Sequence, residues 1–297
     1  MWFMLSIFAM LLLTVRRSTE KTVANNISSM AMPWLQQAIA MPFILATLFF
    51  AKFYWPSELP ANFWQLMAIL VILSSINLYC YFKALSIADV SYVAPLMSLY
   101  IIGNMFGAYL ILKQVPTFLG FIGALFILVG VYIIANSKHK SNQNIQKNKT
   151  ALILILGSVI TSAITANIEV LMLRMSNPTS YNFYSSVLSI PFIIIVTILV
   201  LKMSKNYNGK YWASIYIGTK KYFWPLLIIG LTYTANLLFT YQAKLISPNA
   251  AYVATIKSAS ILPIVIIGAI FFKEKITGKQ WLGLVIILIG LAFLATN

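Results

Sequence analysis

Ten predominantly apolar stretches, each roughly twenty residues long, follow one another along this chain with short polar gaps between them. No other feature constrains the fold as much. A helix needs about twenty apolar residues to cross a hydrocarbon core about 30 Å thick. Windows of that kind fall at 2–24, 30–51, 63–83, 90–112, 117–136, 151–173, 181–201, 222–243, 249–272 and 277–296. Turn signals separate them: Pro56 and Pro60, Ser86 to Asp89, Pro116, the polar tract 137–149, Asn177-Pro178 and Pro248. The gaps are too short for a soluble domain, and only 137–149 reads as a linker. The pattern predicts an all-α integral membrane protein with ten transmembrane helices.

Composition excludes the competing classes. Only 9% of the residues are charged, against about a quarter in a soluble domain, so a water-soluble fold would lack a surface. The net charge of +16 would suggest nucleic acid in a soluble protein. Here the lysines sit in the gaps between spans, as topology signals and headgroup contacts do, and no nucleic-acid partner is expected. The single Cys80 excludes a disulfide framework, and one His139 with five acids cannot build a hydrolytic triad or a histidine metal site. No cofactor, metal or enzymatic activity is expected. The chain begins inside an apolar run at Trp2 with no small-residue cleavage site before Arg16, which argues against a removable signal peptide.

The sequence also repeats itself. Residues 78–135 shifted by 160 onto 238–295 give about fifteen identities without a gap, among them Tyr81 with Tyr241, Tyr92-Val93-Ala94 with Tyr252-Val253-Ala254, and Lys113 with Lys273. Gly123 meets Gly283 and Gly130 meets Gly290. Earlier in each half the offset is 149, placing Met41-Pro42-Phe43-Ile44 on Ile190-Pro191-Phe192-Ile193 and Glu20 on Glu169. This divides the chain into a first five-helix unit at 1–136, the linker 137–149 and a second unit at 150–297. Five is odd, so the second unit enters the bilayer from the opposite side, giving two inverted repeats. The paired glycines stand seven apart on one helix face and predict close helix packing.

The segment Lys83 to Ala135, with Ala94-Pro95, Gly107, Lys113-Gln114, Gly120 and Gly130, and the segment Tyr252 to Ala295, with Pro263, Gly268, Lys273-Glu274-Lys275, Gly283 and Gly290, resemble the two EamA-type repeats of the drug/metabolite transporter superfamily. The resemblance covers nearly the whole chain. It implies ten helices around a central cavity and alternating access between the halves. Where the family usually carries an acid after the fourth helix of each half, this chain has Gln114 in the first and Glu274 in the second.

Charges inside apolar helices are costly, so those that remain mark function. The first helix must run on through Lys21 to reach spanning length, which places Arg16 about two turns inside its far end. Arg16 and Glu20 are four apart and Arg17 and Glu20 three apart, so the carboxylate can pair with either guanidinium. Arg16 and Glu20 are candidates for the cavity wall, and headgroup contact is the alternative, which suits Lys21 most and Arg17 next. Glu169 holds the matching place on the sixth helix, either as a cavity residue or in a structural pair with Arg174. Lys257, eight residues into the ninth helix, requires water, a counter-ion or an anionic ligand. Its alternatives are substrate contact and pairing with Glu20 or Glu169; the resemblance implies substrate contact, since a lysine in a similar stretch faces substrate in the sugar-phosphate branches. Asn77, Asn104 and Asn236 either bond across helices or read a ligand. Tyr92 and Tyr252 are candidates for the cavity wall or for interfacial anchors.

Four cations, Arg16, Arg17, Lys21 and Lys257, against Glu20 and Glu169 favour an anionic or zwitterionic metabolite. The expected protein is a secondary transporter in a bacterial or archaeal cell membrane, a monomer or homodimer, with a small-molecule substrate and membrane lipids as partners. An exporter of amino acids or drugs and a non-transporting lipid-binding protein are the alternatives. Orientation is in conflict. Counting Lys and Arg, the face with Lys83, 137–149, 202–221, Lys273, Lys275 and Lys279 carries thirteen, the other only Lys52, Lys113, Arg174 and Lys244, so the positive-inside rule places both termini outside. The resemblance implies both termini inside.

Overall fold

The computed structural model describes residues 1–23, 27, 31–87, 93, 96–136, 145–203, 210–271 and 277–296. Among them every regular element is a helix: α1 (Trp2–Val23), α2 (Met32–Thr47), a 3-10 turn (Pro56–Glu58), α3 (Ala61–Ile87), α4 (Tyr100–Leu112), α5 (Phe118–Asn136), α6 (Ile145–Met175), α7 (Pro178–Met203), α8 (Lys210–Lys221), α9 (Phe223–Ile246), α10 (Ala250–Ser258), α11 (Ile261–Phe271) and α12 (Gly278–Ala295). Seven of these, α1, α3, α5, α6, α7, α9 and α12, are long and apolar enough to cross a bilayer. The chain is thus a multi-pass membrane protein.

The three other windows are shorter or interrupted. In 30–51 only the 16 residues of α2 are helical before the chain turns at Leu48. The window at 249–272 is split into α10 and α11, and 90–112 contains the 13-residue α4 preceded by a turn at Ser98 and Leu99. The split at α10–α11 has a cause in sequence. Pro263 has no N–H to give the Ala259 carbonyl, which instead accepts from Leu262 N at 2.9 Å, while Ala259 N is shared between Ile256 O at 3.0 Å and Thr255 O at 3.3 Å. At the matching place in the first repeat, Leu99 N makes the same tight bond to Leu96 O at 3.1 Å, and 99 shifted by 160 is 259. Pro42 and Pro191, matched by the other offset, both lie inside their helices. Two expected loops contain helix: α8 lies in 202–221, and α6 begins at Ile145, inside the tract read as linker.

Helix contacts exchange when each helix of the first unit is swapped for its counterpart. The packing of α1 on α9 maps onto that of α6 on α3, α4 on α6 maps onto α10 on α1, and α2 on α9 maps onto α7 on α3, while α5 packs on its own counterpart α12. The α5–α12 seam is built on the four glycines. A Cβ on Gly123 would lie 2.9 Å from the Gly290 carbonyl oxygen and one on Gly290 2.7 Å from that of Gly123; Gly130 and Gly283 face each other at 2.7 and 2.9 Å in the same way. Any side chain there would push the helices apart. Numbers rise along α5 as they fall along α12, so these two equivalent helices run antiparallel.

Candidate functional site

A cavity of about 630 Å³ lies between the helices, walled by α1, α2, α3, α4, α6, α7, α9 and α10. Of the residues singled out in the sequence, Arg16, Asn77, Glu169, Asn236 and Lys257 line it. Both interrupted segments reach it as well, through Met97 and Tyr100 beside the first turn and through Ala254, Lys257 and Ser258 beside the second. Broken helices at matching places in two repeats are where transporters place ligand sites, because backbone there is freed from the helix and needs a partner.

The charges are arranged unevenly. On α1, Arg16 Nε lies 3.3 Å from Glu20 Oε1, an i,i+4 ion pair. That nitrogen is buried without a hydrogen bond, so the contact is one of charge and not of aligned donor and acceptor. The guanidinium also stands over the Tyr233 ring, 5.3 Å from its centre. Glu20 holds Arg16 from along α1 and does not itself appear in the cavity wall. Arg17, for which the sequence offered headgroup contact or pairing with Glu20, lines the cavity and donates to Ser260 Oγ at 3.2 Å, in the break between α10 and α11.

Glu169 has a different partner from the one expected. Arg174 is exposed, and Lys244 of α9 pairs with Glu169 Oε2 at 2.8 Å while also donating to Ala166 O at 3.3 Å. Lys244 is 5% exposed and lines the cavity, whereas hydropathy alone had left it in a loop. With Lys244 removed from the loops, the poorer face keeps only Lys52, Lys113 and Arg174, which widens the charge asymmetry between the faces.

Lys257 makes neither of the ion pairs proposed as its alternative: among the described residues, no carboxylate lies within ion-pair distance of it and no hydrogen bond is made by its ammonium. The wall therefore holds Arg16, Arg17, Lys244 and Lys257 against Glu169, with Glu20 behind Arg16; four cations less two acids leave +2. Around them stand hydroxyls and rings, including Ser162, Ser189, Tyr100, Tyr181 and Tyr241, the last two packed edge to face at 5.1 Å.

The amides divide between both roles offered for them. Asn77 donates to Ser162 Oγ and accepts from Ser158 Oγ at 2.9 Å, tying α3 to α6 at the cavity wall. Asn236 donates to the Ala9 carbonyl across the α1–α9 contact and also lines the cavity. Asn104 is glue only, accepting from Asn167 Nδ2 at 3.0 Å in buried surroundings.

Tyr252 is a correction. It is 0% exposed, packs 6.1 Å from Trp2, and spends its hydroxyl on Thr117, accepting from the backbone N–H at 2.7 Å. Gly120 makes room for it, since a Cβ there would lie 2.1 Å from the Tyr252 oxygen. Beside it Gln114 Oε1 accepts from Ala250 N at 3.0 Å, and Asn249 Nδ2 donates to Gln114 O at 3.3 Å. These bonds clasp the α4–α5 turn to the start of α10, away from the cavity. Tyr92 lies outside the described residues.

A family model described as the EamA-like transporter family matches residues 1–136 and 149–296. The chain belongs to that family. It is a membrane transporter by family, and EamA-like proteins are transporters and not enzymes. A Sinorhizobium protein described as an uncharacterized transporter in cobO 3'region is 29% identical over 94 residues, which are 31% of this chain and 67% of that protein. A solved crystal structure, described only as that of a protein, aligns with 98% of this chain and 95% of its own at a TM-score of 0.67 and 12% identity, a likeness of fold alone.

Proposed function

We propose that this EamA-like transporter moves a small anionic or zwitterionic metabolite across the cell membrane by alternating access of its two halves. The observation that carries the substrate class is Lys257: an ammonium at the cavity wall, beside a helix break, with no carboxylate partner among the described residues while Arg16 and Lys244 each have one. Taking a lone cation out of water is expensive, and an anionic ligand group is the species that recovers that cost inside a bilayer. Arg17, held at the same break by Ser260, is placed to share the load. Alternating access is supported by the exchange of helix contacts between the units and by the antiparallel α5–α12 seam. In this mechanism the clasp of Gln114, Thr117, Asn249 and Tyr252 closes one mouth and opens when the halves rock.

A panel of metabolites tested by thermal shift on purified protein, followed by counterflow of the hits in proteoliposomes, tests the proposal. A ligand that binds only the folded state raises its melting temperature. Carboxylates, phosphates or amino acids should stabilise the protein and exchange across the vesicle wall. Hits confined to organic cations, with flux, would overturn the substrate class.

A further inference from the structure

Helix α8 (Lys210–Lys221) is absent from the transport mechanism and has the features of a separate binding surface. It is twelve residues long, about 18 Å at 1.5 Å per residue, too short to cross a bilayer. It joins the ends of two spanning helices, α7 and α9, and so lies where the hydrocarbon core ends.

One face of α8 is committed to the protein. Tyr211 and Ile215, four apart, are buried against Leu35 of α2, Leu201 of α7 and Leu226 and Ile229 of α9. Trp34 of α2 donates to the Tyr211 hydroxyl at 3.1 Å and its ring stands 6.0 Å from that of Trp212. The next face is largely exposed. Trp212 and Tyr216, again four apart, are 46% and 71% exposed, Ile217 is 63% exposed, and Phe223 and Trp224 continue the row at 56% and 74%. Exposed aromatics are ordinary along the lipid-facing sides of the spanning helices, but here they accompany a concentration of charge. Residues 202–221 contain Lys202, Lys205, Lys210, Lys220 and Lys221 and no acid. Lys202, Lys220 and Lys221 are exposed, and Lys221 stands over the Tyr222 ring at 5.3 Å.

We infer that α8 is a binding site for anionic phospholipid headgroups: Lys202, Lys220 and Lys221 pair with the phosphates while Trp212, Tyr216 and Ile217 seat in the boundary between headgroups and acyl chains. Short helices that carry lysines beside an exposed aromatic row hold membrane surfaces in this way, and their grip follows the charge of the lipid. The buried face of the same helix joins the second unit to the first, because Tyr211 and Ile215 dock on Trp34 and Leu35 of α2. Lipid charge therefore acts on how firmly that end of the bundle is held.

The test compares melting of the full-length protein in nanodiscs of phosphatidylcholine alone and of phosphatidylcholine with phosphatidylglycerol, without any transport substrate. The wild type should melt higher in the anionic disc, and the Lys220→Gln/Lys221→Gln double variant should lose at least half of that shift while melting as the wild type does in the neutral disc. Lys113→Gln, on a different loop, should keep the full shift. High salt should erase the wild-type shift, a readout that stands even if the double variant fails to fold, and inorganic phosphate added to neutral discs should not reproduce it. Equal melting of the wild type in both discs, a double variant with an undiminished shift, or an equal loss from Lys113→Gln would overturn the assignment.

Discussion

Glu20 and Glu169 occupy matched positions in the two repeats, yet they are held differently. Glu20 meets Arg16 on its own helix, four residues away, and the two side chains are 26% and 15% exposed. Glu169 of α6 meets Lys244 of α9, 75 residues distant, and the two side chains are 16% and 5% exposed. The first pair travels as one body with α1 whatever the bundle does. The second ties two helices together and can be lost only by separating them. The repeat explains why both acids exist. Tertiary context decides their work: Lys244 aligns with Ala84, so the first repeat has no cation in that place and Glu20 relies on its own helix.

The largest expected effect is therefore at the cross-helix pair. Glu169→Gln strands Lys244 as a buried cation without a carboxylate and should cost about 3–5 kcal/mol of stability, seen as a large fall in melting temperature. Adding Lys244→Met should restore most of it, because the stranded charge is gone. If Glu169→Gln alone melts as the wild type does, the two acids are not held differently and the comparison fails.

Glu20→Gln sharpens it from the other side. Arg16 keeps its place over Tyr233, and the pair is more exposed than that of Glu169 and Lys244. The variant should insert and fold, with a smaller fall in melting temperature than Glu169→Gln. Transport should fall because Arg16, still over Tyr233, has lost the carboxylate that offsets its charge at the cavity wall. Flux in proteoliposomes together with a melting curve checks both halves of this statement, and loss of folded protein would mark the pair as structural.

Much of this was readable in advance, and the misses have physical reasons. The apolar windows and the charged end of α1 follow from the length a bilayer demands, and the glycines seven apart follow from helix period. Lys244 was missed because hydropathy places a lysine near a helix end in the loop, and only packing shows that α6 brings Glu169 to it. Tyr252 was misplaced for a related reason: its repeat partner and its position near a helix start fit an anchor or a cavity wall, while the space vacated by Gly120 exists only in three dimensions. Two features did have a signal. Pro263 marks the break at Ala259 by the hydrogen bond it cannot make. The buried Tyr211 and Ile215, four apart within a lysine-rich stretch, mark α8 as helix.

The most direct test of the cavity's role is Lys257→Ala, with ligand affinity and the melting temperature of the empty protein measured on the same preparation. Removing a charge-assisted hydrogen bond should weaken binding of an anionic ligand by about ten- to a hundredfold, or roughly 1.5–3 kcal/mol. Lys257→Arg should not restore it, since a planar fork does not occupy the place of a compact ammonium. The empty variant should be no less stable than the wild type, because an unpaired cation has left a low-dielectric wall. Unchanged affinity with a destabilised empty protein would contradict the account, showing Lys257 to be the partner of a buried acid and not the contact for the substrate.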